Sequence, residues 1–419
     1  MTLALAALAA LLLADGASAQ NLVITNGRVL DGTGRVLERA TVVVRDGRIV
    51  SVGQDAPAGG GGAGETIDAG GKTVMPGLID AHRHLVQGND GAAWLANRAA
   101  AQMQEFLDAG FTTVLSPIDP PQVLEARKRI AEGSMQGPRV FAAAFLPVAG
   151  QIPGSGAPAG EDPARTDPAR LPFTGPAAPA IPHEATIQAV ERAKQAGYDY
   201  LKVVLNTTPN GPEIDTLKLI VEEGKKRGLP TIVHAVSVRD TLAALEARPA
   251  LLVHTPHIGQ LDDAAVKKIV DAHIPMTSTL AVFVPHFDAE GTPLFRDAKP
   301  FPWSTLSSAG QGPVNARLLW QAGMVYGYGT DTQWPPQQSL ADELRALDLV
   351  FAPKDIVQII TKNAAEAMMH GDDFGTLEPG KLADIVIVDG DPMRDSRALL
   401  HVVTTIKEGR VVARGGAAR

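Results

Sequence analysis

The chain has 419 residues, with 38 Lys and Arg against 46 Asp and Glu, a formal charge of −8 and no cysteine. The missing thiol excludes a disulfide scaffold, a thiolate metal site, an iron–sulfur cluster and a cysteine nucleophile. The acidic balance argues against a nucleic-acid partner, which needs a basic face, and the 45% hydrophobic share is that of a globular chain large enough for one barrel or two domains.

Residues 2–14 (TLALAALAALLLA) form an almost wholly apolar run, and Ala17-Ser18-Ala19 supplies a small-residue cleavage signature before Gln20. The segment 1–19 is expected to be a secretory signal peptide, although no Lys or Arg precedes the run. The run is short for a membrane span, and no later stretch holds 18 uninterrupted apolar residues. The expected location is therefore periplasmic or secreted, with no stable membrane anchor after cleavage.

Residues 21–70 alternate apolar and polar side chains in LVITNGRVLDGTG, ATVVVRDGRIVSVG and ETIDAGGKTVM, with Asn26-Gly27, Asp31-Gly32 and Asp46-Gly47 at turns. The C-terminal stretches LADIVIVDGDP and VVTTIKEGRVVARG repeat that character. Between them, strand and helix patterns alternate. Strands are expected at 73–82, 111–116, 139–145, 200–205, 231–235, 251–255, 274–279 and 324–330. Helices are expected at 92–109, 121–132, 184–197, 213–228, 238–247, 261–272 and 313–322, with Gly110, Gly197 and Gly228 where helices end. Eight such alternations predict an α/β fold, a (β/α)8 TIM-type barrel at 73–374, with a small β-sandwich built from 20–72 and 375–419. An open doubly wound sheet is the competing architecture, but no G-x-G-x-x-G follows an early strand. Two long inserts, 151–182 with eight prolines and 285–311, would rise from the C-terminal face as lids or passive loops.

The first barrel strand ends in Asp80-Ala81-His82-Arg83-His84. Residues i and i+2 of a strand share a face, so His82 and His84 point one way and Arg83 the other, where a structural ion pair is expected. Two imidazoles together suit a divalent cation. Lys202 lies inside YLKVVL, His234 in TIVHA, His254 in LLVHT, and Asp331 follows GYGT. Polar groups at the ends of several apolar barrel strands are costly unless paired, and strand ends are where this fold carries its chemistry.

These residues resemble the amidohydrolase superfamily of metal-dependent hydrolases, in the Pro76-Gly77-Leu78-Ile79-Asp80-Ala81-His82-Arg83-His84 entry, in the later strand-end groups, and in Gly375-Thr376-Leu377-Glu378-Pro379-Gly380-Lys381-Leu382-Ala383-Asp384-Ile385-Val386. The order H-x-H, Lys, His, His, Asp is similar to the binuclear, carboxylated-lysine type. Within it, the chain looks most like imidazolonepropionase-like and prolidase-like exported amidases, a group that includes ochratoxin-type enzymes. The resemblance implies that His82, His84 and Asp331 hold one metal and His234 and His254 a second, bridged by Lys202 as its carbamate. The default metal is zinc, with manganese, cobalt or iron as replacements. It further implies that a hydroxide bridging the two metals attacks the carbonyl, with Asp331, Lys202 and His254 as catalytic residues and Asp331 moving the proton. Val236 and Val253 depart from the prolidase-like pattern, which carries an aromatic or polar residue and a glutamate there.

Substrate contacts are expected from Arg239, through a carboxylate, and from His257, Trp303 and Trp334. The expected reaction is hydrolysis of an amide or peptide bond in a small molecule such as a dipeptide, N-acyl amino acid or aryl amide. The same metals would serve an ester, lactone or phosphotriester. A catalytically inactive binding protein is the alternative from another class. Homo-oligomers are expected by analogy alone.

Overall fold

The structure, a computed structural model, describes residues 21–54, 64–86, 88, 90–149, 179–208, 210–283 and 308–415, with side chains omitted for 308–310. Residues 1–19, where a signal peptide is expected, most of both long inserts and Trp303 lie outside the described residues.

Strands β1 (Leu22–Leu30), β2 (Val36–Arg45), β3 (Arg48–Gly53), β4 (Glu65–Asp68) and β5 (Thr73–Pro76) come first in the chain. The central strands follow: β6 (Leu78–Asp80), β7 (Phe111–Pro117), β8 (Arg139–Phe145), β9 (Tyr200–Val204), β10 (Thr231–His234), β11 (Leu251–Val253), β12 (Met276–Thr277) and β13 (Tyr326–Gly327). Then come β14 (Ile385–Val388), β15 (Val402–Lys407) and β16 (Arg410–Arg414).

β6 to β13 pair in chain order as one parallel eight-stranded sheet. Just beyond their ends, Ala81 N donates to Tyr328 O (3.0 Å) and Asp331 N to His82 O (2.8 Å), which joins the first strand to the last. This is the expected barrel. Parallel strands buried on both faces read as continuous apolar runs, as in VVL and TIVH. Helices cover the outside. In His183–Ala196, Thr186, Val190 and Ala193 are buried at helical spacing, and Gly197 ends the helix at φ +85°.

The remaining strands form a second, mixed sheet in the order β16-β15-β14-β5-β1-β2-β3, with β4 also on β1. It folds over so that Gly380 N donates to Ile49 O (2.8 Å) and Ala383 N to Gly47 O (2.8 Å). Leu22, Ile24, Val42, Val74, Ile385 and Ile406 are buried within it as a core separate from the barrel's. This is the small sandwich expected from the two termini.

One expectation needs correction, and one stretch holds helices beyond those expected. Residues 73–82 are not one barrel strand: β5 pairs with β1 and β14, and only β6 enters the barrel. Gly77 is the joint, where a Cβ would lie 2.3 Å from Thr112 Oγ1. The apolar run continues across the joint because both halves are buried, so periodicity could not reveal it. Three further helices follow the last barrel strand, Pro336–Leu347, Pro353–Ile360 and Lys362–Ala367.

Candidate metal centre

The six side chains singled out at strand ends come from five of the eight barrel strands or the residues just after them, His82 and His84 both following β6. Asp331 lies at the hub. Its Oδ1 is 3.1 Å from both His82 Nε2 and His84 Nε2, and its Oδ2 is 3.9 Å from His254 Nδ1. Donor atoms of His82, His254 and Asp331 all lie within 4.8 Å of one another. The His254 ring centroid is 5.1 Å from that of His82 and 4.3 Å from that of His234. Lys202 Nζ is 3.4 Å from His82 Nε2, its one hydrogen-bond partner among the described residues.

Three residues here hold φ angles that favour glycine: His254 at +76°, Thr279 at +49° and Asp331 at +54°. Such conformations cost on the order of 1–3 kcal/mol each and persist where surrounding bonds enforce them. Asp331 is held by its N–H on His82 O (2.8 Å), and Thr279 by its N–H on Gly329 O (2.9 Å). Gly329 is required at this crowded point, since a Cβ there would lie 2.9 Å from that of His82.

The electrostatics suit a cation. Burial, reinforced by the Lys202 charge, holds His82 and His234 at about 3. Burial and the neighbouring His234 push His254 well below its ordinary value. These imidazoles are therefore neutral near pH 7, with lone pairs free to coordinate. Burial brings the Lys202 amine down to about 7 against the pull of Asp331. Burial would raise Asp331, but the His254, His82 and His84 imidazoles hold it well below the usual carboxylate range. His84 differs: burial lowers it, yet Asp119 and Asp331 raise it to about 9. It carries a proton where a metal would carry charge, and metal binding releases such protons. Imidazoles and a carboxylate converging at these distances fit a divalent cation.

Several supporting residues escaped the sequence reading. Asp119 accepts from Leu85 N (2.7 Å) and Val86 N (3.3 Å) and approaches His84 Nδ1 (3.7 Å). A carboxylate behind an imidazole orients the ring. Thr279 Oγ1 lies 2.7 Å from His254 Nδ1, leaving Nε2 as the free nitrogen. Glu343 accepts from Leu280 N (2.9 Å) and Ala281 N (2.7 Å), directly after Thr279. Only an acid or hydroxyl next to a strand end could have pointed to Asp119 and Thr279, and nothing local pointed to Glu343.

Arg83 faces away from the cluster as expected, but the expected ion pair is not what holds it. Its hydrogen-bond partners are the hydroxyls of Thr332 (2.6 Å), Ser339 (2.7 Å) and Thr330 (3.2 Å) and the carbonyl of Trp334. Arg239 is exposed, with Nη2 on Thr207 O (3.1 Å) and Nε 3.6 Å from Asp240. His257 is buried and stacks on Phe283 with centroids 3.9 Å apart. Trp334 is 45% exposed, just beyond Asp331 in the chain.

A model of the amidohydrolase family matches residues 73–412. The chain is 25% identical over 426 residues to the imidazolonepropionase of Geobacillus sp., covering 91% of this chain and 92% of that one. It is 26% identical over 459 residues to a 5-methylthioadenosine/S-adenosylhomocysteine deaminase of Symbiobacterium thermophilum, covering 94% and 93%. Among solved structures, a putative prolidase from Bifidobacterium longum superposes with a TM-score of 0.73 at 23% identity, over 96% of this chain and 97% of that one. This last likeness is one of fold.

Proposed function

The chain belongs to the amidohydrolase family, and from that premise we propose that it hydrolyses the amide bond of a small substrate using two divalent cations, by default zinc. The general activity, metal-dependent hydrolysis of carbon–nitrogen bonds, follows from the family and from its imidazolonepropionase relatives. His82, His84 and Asp331 would hold one cation, and His234 and His254 the other. Lys202, as a carbamate, would span both. When bound, such cations lower the pKa of a shared water towards neutrality and polarise a carbonyl.

The observation that carries this reading is Lys202. A buried amine brought down to about 7, with no carboxylate bonded to it, is a nucleophile for carbon dioxide near neutral pH. Its carbamate would share one negative charge over two oxygens, a buried charge that the two cations would compensate. Asp331 is ionised and partly open, its side chain 17% exposed. It accepts the proton of the attacking water at its carboxylate and delivers it to the departing nitrogen. Thr279 holds the His254 ring, and Asp119 the His84 ring, so that neither reorients during turnover.

The test is metal content by plasma mass spectrometry on wild type and Lys202→Ala, followed by an amide panel. About two metals per chain are expected for a bridged pair, with a large loss in the variant and stimulation of metal loading by bicarbonate in wild type. About one metal, unchanged by the substitution, would make Lys202 a bystander and refute the bridged site.

A further inference from the structure

We propose that the tops of β8, β9 and β10 form an apolar wall beside Lys202 that receives an uncharged, aromatic-sized group of the substrate, with Phe145 as its specificity-determining residue. This deepens the amide-hydrolase reading above and rests on it.

The argument begins from register. Phe145 is the in-register partner of Lys202 across β8 and β9, and Leu146 N donates to Lys202 O (2.8 Å). Partners in neighbouring parallel strands project from the same face of the sheet. Lys202 faces the barrel interior, among the imidazoles, so Phe145 faces it too, one strand away. Val204 follows Lys202 by two residues, shares that face, and partners His234 in β10. Val236 follows His234 by two. Phe145 is 36% exposed, and Val204 and Val236 are partly exposed, although all three belong to a barrel top dominated by buried residues.

Phe145 belongs to neither hydrophobic core. A single exposed ring on a protein surface means little. A ring at the level of the buried lysine, continuous with two valines over adjacent strands, lines the space that a substrate must enter. Such walls bind apolar groups and penalise charged ones, which would lose hydration without gaining a partner. Arg239, the cation expected from the sequence to hold a substrate carboxylate, is already engaged by the Thr207 carbonyl and sits by Asp240. A substrate carboxylate would have to compete for it.

The experiment uses the metal-loaded full chain as wild type, Phe145→Ala and Phe145→Leu. Melting temperature and metal content are measured on each to establish that the variants fold. The kcat/KM values are compared for N-methylacetamide, N-benzylacetamide, N-methyl-2-phenylacetamide and N-acetylglycine. Wild type is expected to prefer one phenyl-bearing probe by about tenfold or more, a factor within reach of a well-fitted apolar pocket. Phe145→Ala should erase most of that preference, and Phe145→Leu should restore part of it. An unchanged preference in Phe145→Ala, or N-acetylglycine as the best substrate, overturns the proposal. If wild type cleaves none of the four, the amide reading itself is in question. Calorimetric binding of benzamide then decides the wall separately. Affinity about tenfold weaker in Phe145→Ala supports it, and equal affinity, or no binding to wild type, overturns it.

Discussion

At the scale of single residues, the site is built from backbone conformations that its side chains disfavour. His254, Thr279 and Asp331 all adopt positive φ; backbone bonds to a neighbouring strand end hold Thr279 and Asp331 there, and a side-chain bond ties the His254 ring to Thr279. Thr279 shows why this matters. Its hydroxyl is the partner of His254 Nδ1, which fixes the orientation of the ring. Thr279→Val keeps the shape and removes the bond. The buried imidazole nitrogen then goes unsatisfied, at a cost of about 1–3 kcal/mol. Metal affinity should fall about 10–100-fold, as it does when such an outer partner is lost. Titration of the apoprotein against a chelator of known affinity measures this. Unchanged affinity would leave Thr279 a packing residue.

At the scale of elements, the helix Pro336–Leu347 braces the centre from behind. It carries Glu343, fully buried, whose carboxylate takes the N–H groups of Leu280 and Ala281 and so holds the segment that starts with Thr279. Burial raises Glu343 from 4.5 to about 7 despite these bonds. A carboxyl raised in the folded state binds more protons there than in the unfolded chain. Its contribution to stability is therefore most favourable below about 4.5 and falls as pH rises through about 7. The ceiling is about 3 kcal/mol, from the size of the shift. Glu343→Gln should flatten the stability profile of the metal-free protein between about pH 4.5 and 7 relative to wild type. Urea midpoints across that range test it. Parallel profiles for the two proteins would contradict the assignment.

At the scale of the whole molecule, the barrel floor is pinned to the terminal sheet by a buried ion pair. Arg139, at the start of β8, bonds Asp384 (2.6 Å) and Glu408 (2.6 Å), and its guanidinium lies over Phe374 at 5.0 Å. The Asp384 side chain is only 3% exposed. Removing one partner of a buried pair strands the other, at about 3 kcal/mol or more. Arg139→Met should therefore lower denaturant stability by that order. Adding Asp384→Leu should recover much of it, because a matched apolar pair leaves no stranded charge. A double variant no better than the single would mean that the loss is one of packing, not of charge.

How much was legible beforehand follows from the same physics. Eight apolar runs separated by helical periods announced the barrel, because strands buried on both faces must be apolar along their whole length. The glycine-punctuated alternation at both ends announced the small sheet. Polar groups inside those apolar runs marked His82, Lys202, His234, His254 and Asp331 locally, since burying them needs a reason. The sequence by itself therefore determined the architecture and the side chains that converge. Only the tertiary structure decided what stands behind and beside them. Asp119, Thr279 and Glu343 lie from about 25 to nearly 65 residues from the groups they hold. The break at Gly77 depends on a contact with Thr112, a distant partner in sequence. The apolar wall depends on β8 meeting β9 with Phe145 beside Lys202. Register between parallel strands is set by the packing of the entire sheet, and no local pattern encodes it.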